Sequence, residues 1–172
     1  MRLGLDAVGV TELMGVAEHA HCLNVVAESL LLDDGERGAL VRLPDPATLQ
    51  PAATATLDEI RAWAAGALGK DEVPLLWRLL ARNHHYLVST WAKEKVVMRE
   101  ERLTVRDKRR VALAIAMNGR SRAMIRYHDA ILRHAGDTDE DHLEVLGVVD
   151  HYNCLNTMSE AMQIESDIRP PA

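Results

Sequence analysis

Residues 103–136 read LTVRDKRRVALAIAMNGRSRAMIRYHDAILRHAG, and the fold is decided there. Thr104 stands before a run of good helix formers, where its hydroxyl can cap a helix over 105–117. Asn118-Gly119 breaks that run. A new helix is predicted over 120–135, with Gly136 as its stop. In it Ser121, Met124, His128, Ile131 and Ala135 recur at i, i+3, i+7, i+10 and i+14, one stripe of a 3.6-residue helix. Arg122, Arg126, Asp129 and Arg133 fall on the opposite side. Two consecutive amphipathic helices need further helices to cover their inner faces.

Working outward, the sequence supplies them. Thr138, followed by Asp139, Glu140 and Asp141, opens a long helix to about 164, its acids placed where the helix dipole favours them. Leu87, Trp91, Glu94 and Met98 share one line of a helix over about 84–99. Shorter helices are predicted over 71–81, with Pro74 in the first turn, and over 56–68, closed by Gly69. Residues 35–55 read as loop. A long helix covers 8–32, with Val10, Leu13, Ala17, His21 and Val25 as its stripe. The expectation is an all-α domain of about seven helices spanning 1–172, with N-terminal helices and a loop in 1–70. The absence of Phe agrees, since strands favour aromatic and β-branched residues. A chain of 172 residues buries enough surface for a core without disulfides or metals.

Several functions are disfavoured. A net charge of -6 argues against a general nucleic-acid-binding surface. The apolar stretch 8–32 is interrupted by Glu12, Glu18, His19, His21 and Glu28, so it does not suit a bilayer. The start Met1-Arg2-Leu3-Gly4-Leu5-Asp6 lacks the order of a signal peptide, and a cytoplasmic protein is expected. Cys22 and Cys154 form neither a disulfide framework nor a zinc motif. His19-Ala20-His21-Cys22 and His84-His85 place their side chains in diverging directions on a helix, so no metal site is expected.

The segment 79–165 resembles the carboxymuconolactone decarboxylase family, in its alkylhydroperoxidase D (AhpD)-like branch. The likeness rests on Leu79-Leu80-Ala81-Arg82-Asn83-His84, on Leu103-Thr104-Val105-Arg106-Asp107-Lys108-Arg109, and on Val111–Gly119 with its Asn-Gly end. His128, Leu132-Arg133-His134-Ala135-Gly136 and His151-Tyr152-Asn153-Cys154-Leu155-Asn156 complete it. The resemblance implies an AhpD-like fold and a homo-oligomer, a dimer, trimer or higher assembly. It also implies where a reactive centre would lie. The redox branch carries Cys-x-x-Cys four residues before the histidine and a glutamate twelve residues before the first cysteine. Counted back from His128, those positions are Met124, Ser121 and Arg109.

These substitutions remove the chemistry. A cysteine at a helix N-terminus is held as thiolate and attacks peroxide, and a second cysteine resolves the sulfenic acid as a disulfide. A serine alkoxide is far too basic to replace it, and a thioether cannot close the cycle. Ser121, Met124, His128 and Arg109 thus read as a vestigial site, without a cofactor. The inward stripe leaves two readings open: a pocket for a small, acidic ligand lined by Arg120, Ser121, Met124, His128 and His151, or a site refilled by packing. Arg109, on the line of Val105, Ala112 and Ala116, is either a clamp for a ligand carboxylate or half of a structural ion pair. Arg122, Arg126 and Arg133 form either a solvated face or a subunit-contact face. An enzyme with a rearranged site, using Cys154 as a peroxidatic thiol or acting as a decarboxylase-like lyase, is the alternative.

Overall fold

The computed structural model describes residues 5–164, and their regular elements are helical. Eight α-helices follow in order: α1 (Ala7–Ser29), α2 (Gly35–Gly38), α3 (Pro51–Leu68), α4 (Leu75–Leu80), α5 (His84–Val97), α6 (Val105–Asn118), α7 (Arg122–His134) and α8 (Asp139–Ala161). The helix beyond the expected seven is α2, a single turn inside the stretch read as loop. The same stretch ends early, because α3 starts at Pro51 rather than at Thr56. Proline there occupies the first helical turn, where its missing N–H costs nothing. Pro74 precedes α4 instead of lying within a longer helix over 71–81.

Helix α1 turns a different side inward from the expected one. Val16, His19, Ala20, Leu23, Asn24 and Ala27 are buried, whereas Val10, His21 and Val25 are exposed. The helix carries apolar residues on most of its circumference, so its periodicity does not select a face and its neighbours do. Those neighbours are α5 and α6, with α7 packed against α6 and α3 against α5 and α7. Small residues set the α1–α6 approach: Val16 and Ala20 meet Ala112, all with essentially no exposure. Trp77, Trp91, Leu87, Ile60, Leu23 and Met124 fill the larger part of the core. Each such side chain stabilises the fold by roughly 1.5–3 kcal/mol relative to exposure.

The α6–α7 junction aims the inward stripe. The N–H of Ser121 donates to the Ala116 carbonyl at 3.0 Å and that of Arg120 to Met117 at 3.0 Å. This is the Schellman arrangement. Arg120, not Gly119, takes its left-handed position, with φ of 55°. Glycine at 119 serves another end: a Cβ there would lie 3.0 Å from Asn24 Nδ2, which donates to the Ile115 carbonyl at 3.1 Å. The glycine lets α1 close over the end of α6. Gly136, by contrast, ends α7 as expected, with φ of 91°.

Two buried charges lock the periphery. Lys108 on α6 donates to Glu12 Oε1 at 2.5 Å and to the carbonyls of Val97 and Arg99, so all three ammonium protons are used. Asp137 accepts from Arg106 and Arg110. Helix α8 is different. A capping box between Thr138 and Asp141 starts it and it packs on α6, yet it has no buried residue. Among the described residues, no helix is long and apolar enough to cross a membrane.

Candidate functional site

Ser121, Met124 and His128 come together in the interior, with at most 1% of each exposed. Ser121 is the N-cap residue of α7, but its hydroxyl makes no capping bond. Its Oγ and both ring nitrogens of His128 lack hydrogen-bond partners among the described residues. The His128 ring is driven down to about 3, first by burial and then by the Arg109 guanidinium. It is therefore neutral at any physiological pH and does not offer a positive charge.

Arg109 is buried as well, and its partner is Glu94. Arg109 Nη2 donates to Glu94 Oε1 at 2.5 Å, and His19 Nε2 lies 2.8 Å from Glu94 Oε2. Burial alone would raise the Glu94 carboxyl; Arg109 and His19 together overcome it and hold the group down to about 2. A carboxylate can only accept, so His19 Nε2 carries the proton in this bond. The Arg109 guanidinium also stands over the Trp63 ring, 5.6 Å from its centroid. Its Nε and Nη1 protons find no acceptor among the described residues. Tyr127, whose phenol is pushed upward by burial and by the Glu94 charge, accepts from Trp77 Nε1 at 3.3 Å.

Three helices thus supply one buried charged group: His19 from α1, Glu94 from α5 and Arg109 from α6. Of the two readings left open for Arg109, the ion pair is the one formed. Glu94 was visible in the sequence only as a carboxylate on the line of Leu87, Trp91 and Met98. All four of those residues are buried. A carboxylate on an apolar line demands an internal cation, which was the available signal. Nothing in sequence linked His19 to it, because 75 positions separate them.

The remaining expected residues lie elsewhere. Arg120 is exposed at the junction, so it does not floor the interior. His151 is exposed on α8, as is Cys154, apart from the buried set. Cys22 is exposed on α1 and donates to Glu18 Oε1 at 3.2 Å; that bond and burial push its thiol upward. Since the His128 nitrogens have no partner, neither thiol reaches them. On the outer side of α7, Arg133 meets Asp129 and Asp139, while Arg126 donates to the Asp33 carbonyl. Among the described residues no three metal-ligating side chains cluster.

The fold and this enclosed polar centre define an all-helical domain built on a helix junction with an inward histidine. The structure is similar to that of the alkylhydroperoxidase AhpD core from Rhodospirillum rubrum, with 33% sequence identity and a TM-score of 0.67. The match covers 75% of this chain and 94% of that one. The chain belongs to the AhpD-like family. No protein-family model matches the sequence, and no curated protein matches it either.

Proposed function

We propose that this chain is an AhpD-like protein that does not run a thiol peroxidase cycle and serves as an oligomeric helical scaffold, in the cytoplasm. One observation carries the reading: the inward face of α7 presents Ser121, Met124 and His128, and both thiols are exposed on other helices. A peroxidatic cycle needs an ionised sulfur at the reactive position and a second sulfur to resolve it. Here a hydroxyl and a thioether stand there. At the position of the branch's glutamate stands Arg109, which is engaged in a closed contact with Glu94. Purified protein given peroxide and a dithiol donor is expected to show no turnover above the donor's own background. Robust turnover that survives Cys22→Ser with Cys154→Ser would refute the reading. Turnover abolished by Cys154→Ser alone would establish the peroxidase alternative.

A specific observation favours a second reading, a small acidic ligand held in the interior. Ser121 Oγ, Arg109 Nε and Nη1 and the His128 nitrogens are buried without partners, and buried polar groups are as a rule satisfied by protein, water or ligand. This set is rich in donors, which suits a small carboxylate. Titration calorimetry with formate and acetate checks it. Binding that weakens at least tenfold in Ser121→Ala supports it, and no heat with either anion removes it.

A further inference from the structure

Among the described residues, nothing covers the distal half of α8. Asp141, His142, Val145 and Val149 are its half-buried positions, and every residue from Asp150 to the helix end is exposed. Those twelve residues extend about 18 Å at the α-helical rise. They carry Tyr152, Leu155 and Met158, with 43–60% of each exposed. A helical arm of this length is marginal in water by itself and gains its stability from packing its apolar side. Exposed apolar side chains spaced in this way are the anchors of helix-in-groove recognition.

Charge indicates what covers it. From Asp150 to Ala161 this half of α8 carries two carboxylates, those of Asp150 and Glu160, and no lysine or arginine. Pairing α8 with another α8 would set like charges side by side. The complementary surface lies between α4 and the first half of α7. A shallow groove of about 170 Å³ runs there, walled by Leu32, Pro74, Leu75, Ala123 and Tyr127 and edged by Arg126. Arg122 stands one turn away, and its nearest carboxylate is Asp33 at 4.0 Å. An apolar groove with an arginine rim matches an apolar helix bearing only acids.

We infer that the distal half of α8 docks into the α7 groove of a second copy of this chain, with Tyr152, Leu155 and Met158 as anchors and Arg122 and Arg126 facing the α8 carboxylates. The contact joins different patches of the two copies. It closes either reciprocally in a dimer or around a ring. This rests on the oligomer in the reading above, and the experiment separates the two.

Sedimentation velocity on the full chain is expected to give a multiple of the chain mass. Leu155→Glu with Met158→Glu, and separately Arg122→Glu with Arg126→Glu, are expected to weaken assembly at least tenfold while leaving the circular dichroism melt of the helical body in place. All four positions are on the surface, so folding is not at risk. In a Cys22→Ser background, Ala123→Cys with a short bis-maleimide should link to Cys154 of a second copy, and removing either thiol should abolish the link. Unaltered chain at single-chain mass would overturn both the docking and the oligomer. Assembly undiminished by both double variants would overturn the docking alone. Strong Cys154–Cys154 linking without Ala123→Cys would place α8 against α8 and likewise overturn the inference.

Discussion

The interior where α1, α5, α6 and α7 meet and the free half of α8 handle polar chemistry in opposite ways. In the interior the Glu94 charge is answered by Arg109 and His19, at the full cost of desolvation. On α8 every acid past Asp141 is exposed, and so are Tyr152, Leu155 and Met158. The difference teaches that a buried carboxylate is held by cations brought from other helices, whereas an arm outside the core leaves its acids to water. In this chain the buried polar centre is a closed ion pair with Trp63 against the Arg109 guanidinium. The exposed half of α8 has no such pairing.

The comparison breaks most directly at Arg109. Arg109→Met leaves Glu94 buried without its cation and should cost about 3–5 kcal/mol in urea unfolding. Adding Glu94→Leu should restore most of that loss, since a packed apolar pair replaces an ion pair at little cost. A single-variant loss below about 1 kcal/mol would show that the interior is not the rigid half of the contrast.

Acid sharpens it next. The ordinary histidine value is 6.5, and His128 in the fold is held near 3. The unfolded chain therefore takes up a proton first. The stability that neutral His128 contributes is complete above pH 6.5 and is lost as pH falls toward 3, with a limiting slope of about 1.4 kcal/mol per pH unit. Glu94, lowered from 4.5 to about 2, adds a second loss over that lower window. Urea midpoints across pH 7 to 3 should fall, and His128→Leu should flatten the upper part of the fall. An unchanged slope in that variant would contradict the placement of the ring.

Thr138→Ala removes the hydroxyl that caps α8 and should cost about 1 kcal/mol, read as faster amide exchange at the start of α8 with the α6 and α7 amides unaffected. The smallest effect belongs to the exposed arm: Cys154→Ser should change stability by no more than about 0.5 kcal/mol. A larger loss would mean that the distal half of α8 is packed within a single chain.

Much of the helical order was legible in the sequence, because capping and stopping are local. Thr104 and Thr138 begin helices by accepting backbone N–H bonds within three residues, and Gly69 and Gly136 end them by adopting positive φ. The stripe of Ser121, Met124, His128 and Ile131 was legible for the same reason, although Ala135, at its end, is exposed. Less legible was the start of α3, since Pro51 reads equally as a loop residue and as a first-turn residue. The candidate site was half readable. Its α7 residues lie within eight positions of one another, whereas Glu94 and His19 come from helices whose mutual placement no local pattern encodes.

By itself, the sequence determined seven of the eight helices, several of their ends and which side of α7 turns inward, because 3.6-residue periodicity and end chemistry act over a few residues. Tertiary structure alone decided which face of α1 is buried, that Arg109 pairs with Glu94, and that His151 and Cys154 stand outside. Those outcomes depend on which helices pack together, and the free energy of burying a charge is set by neighbours distant in the chain.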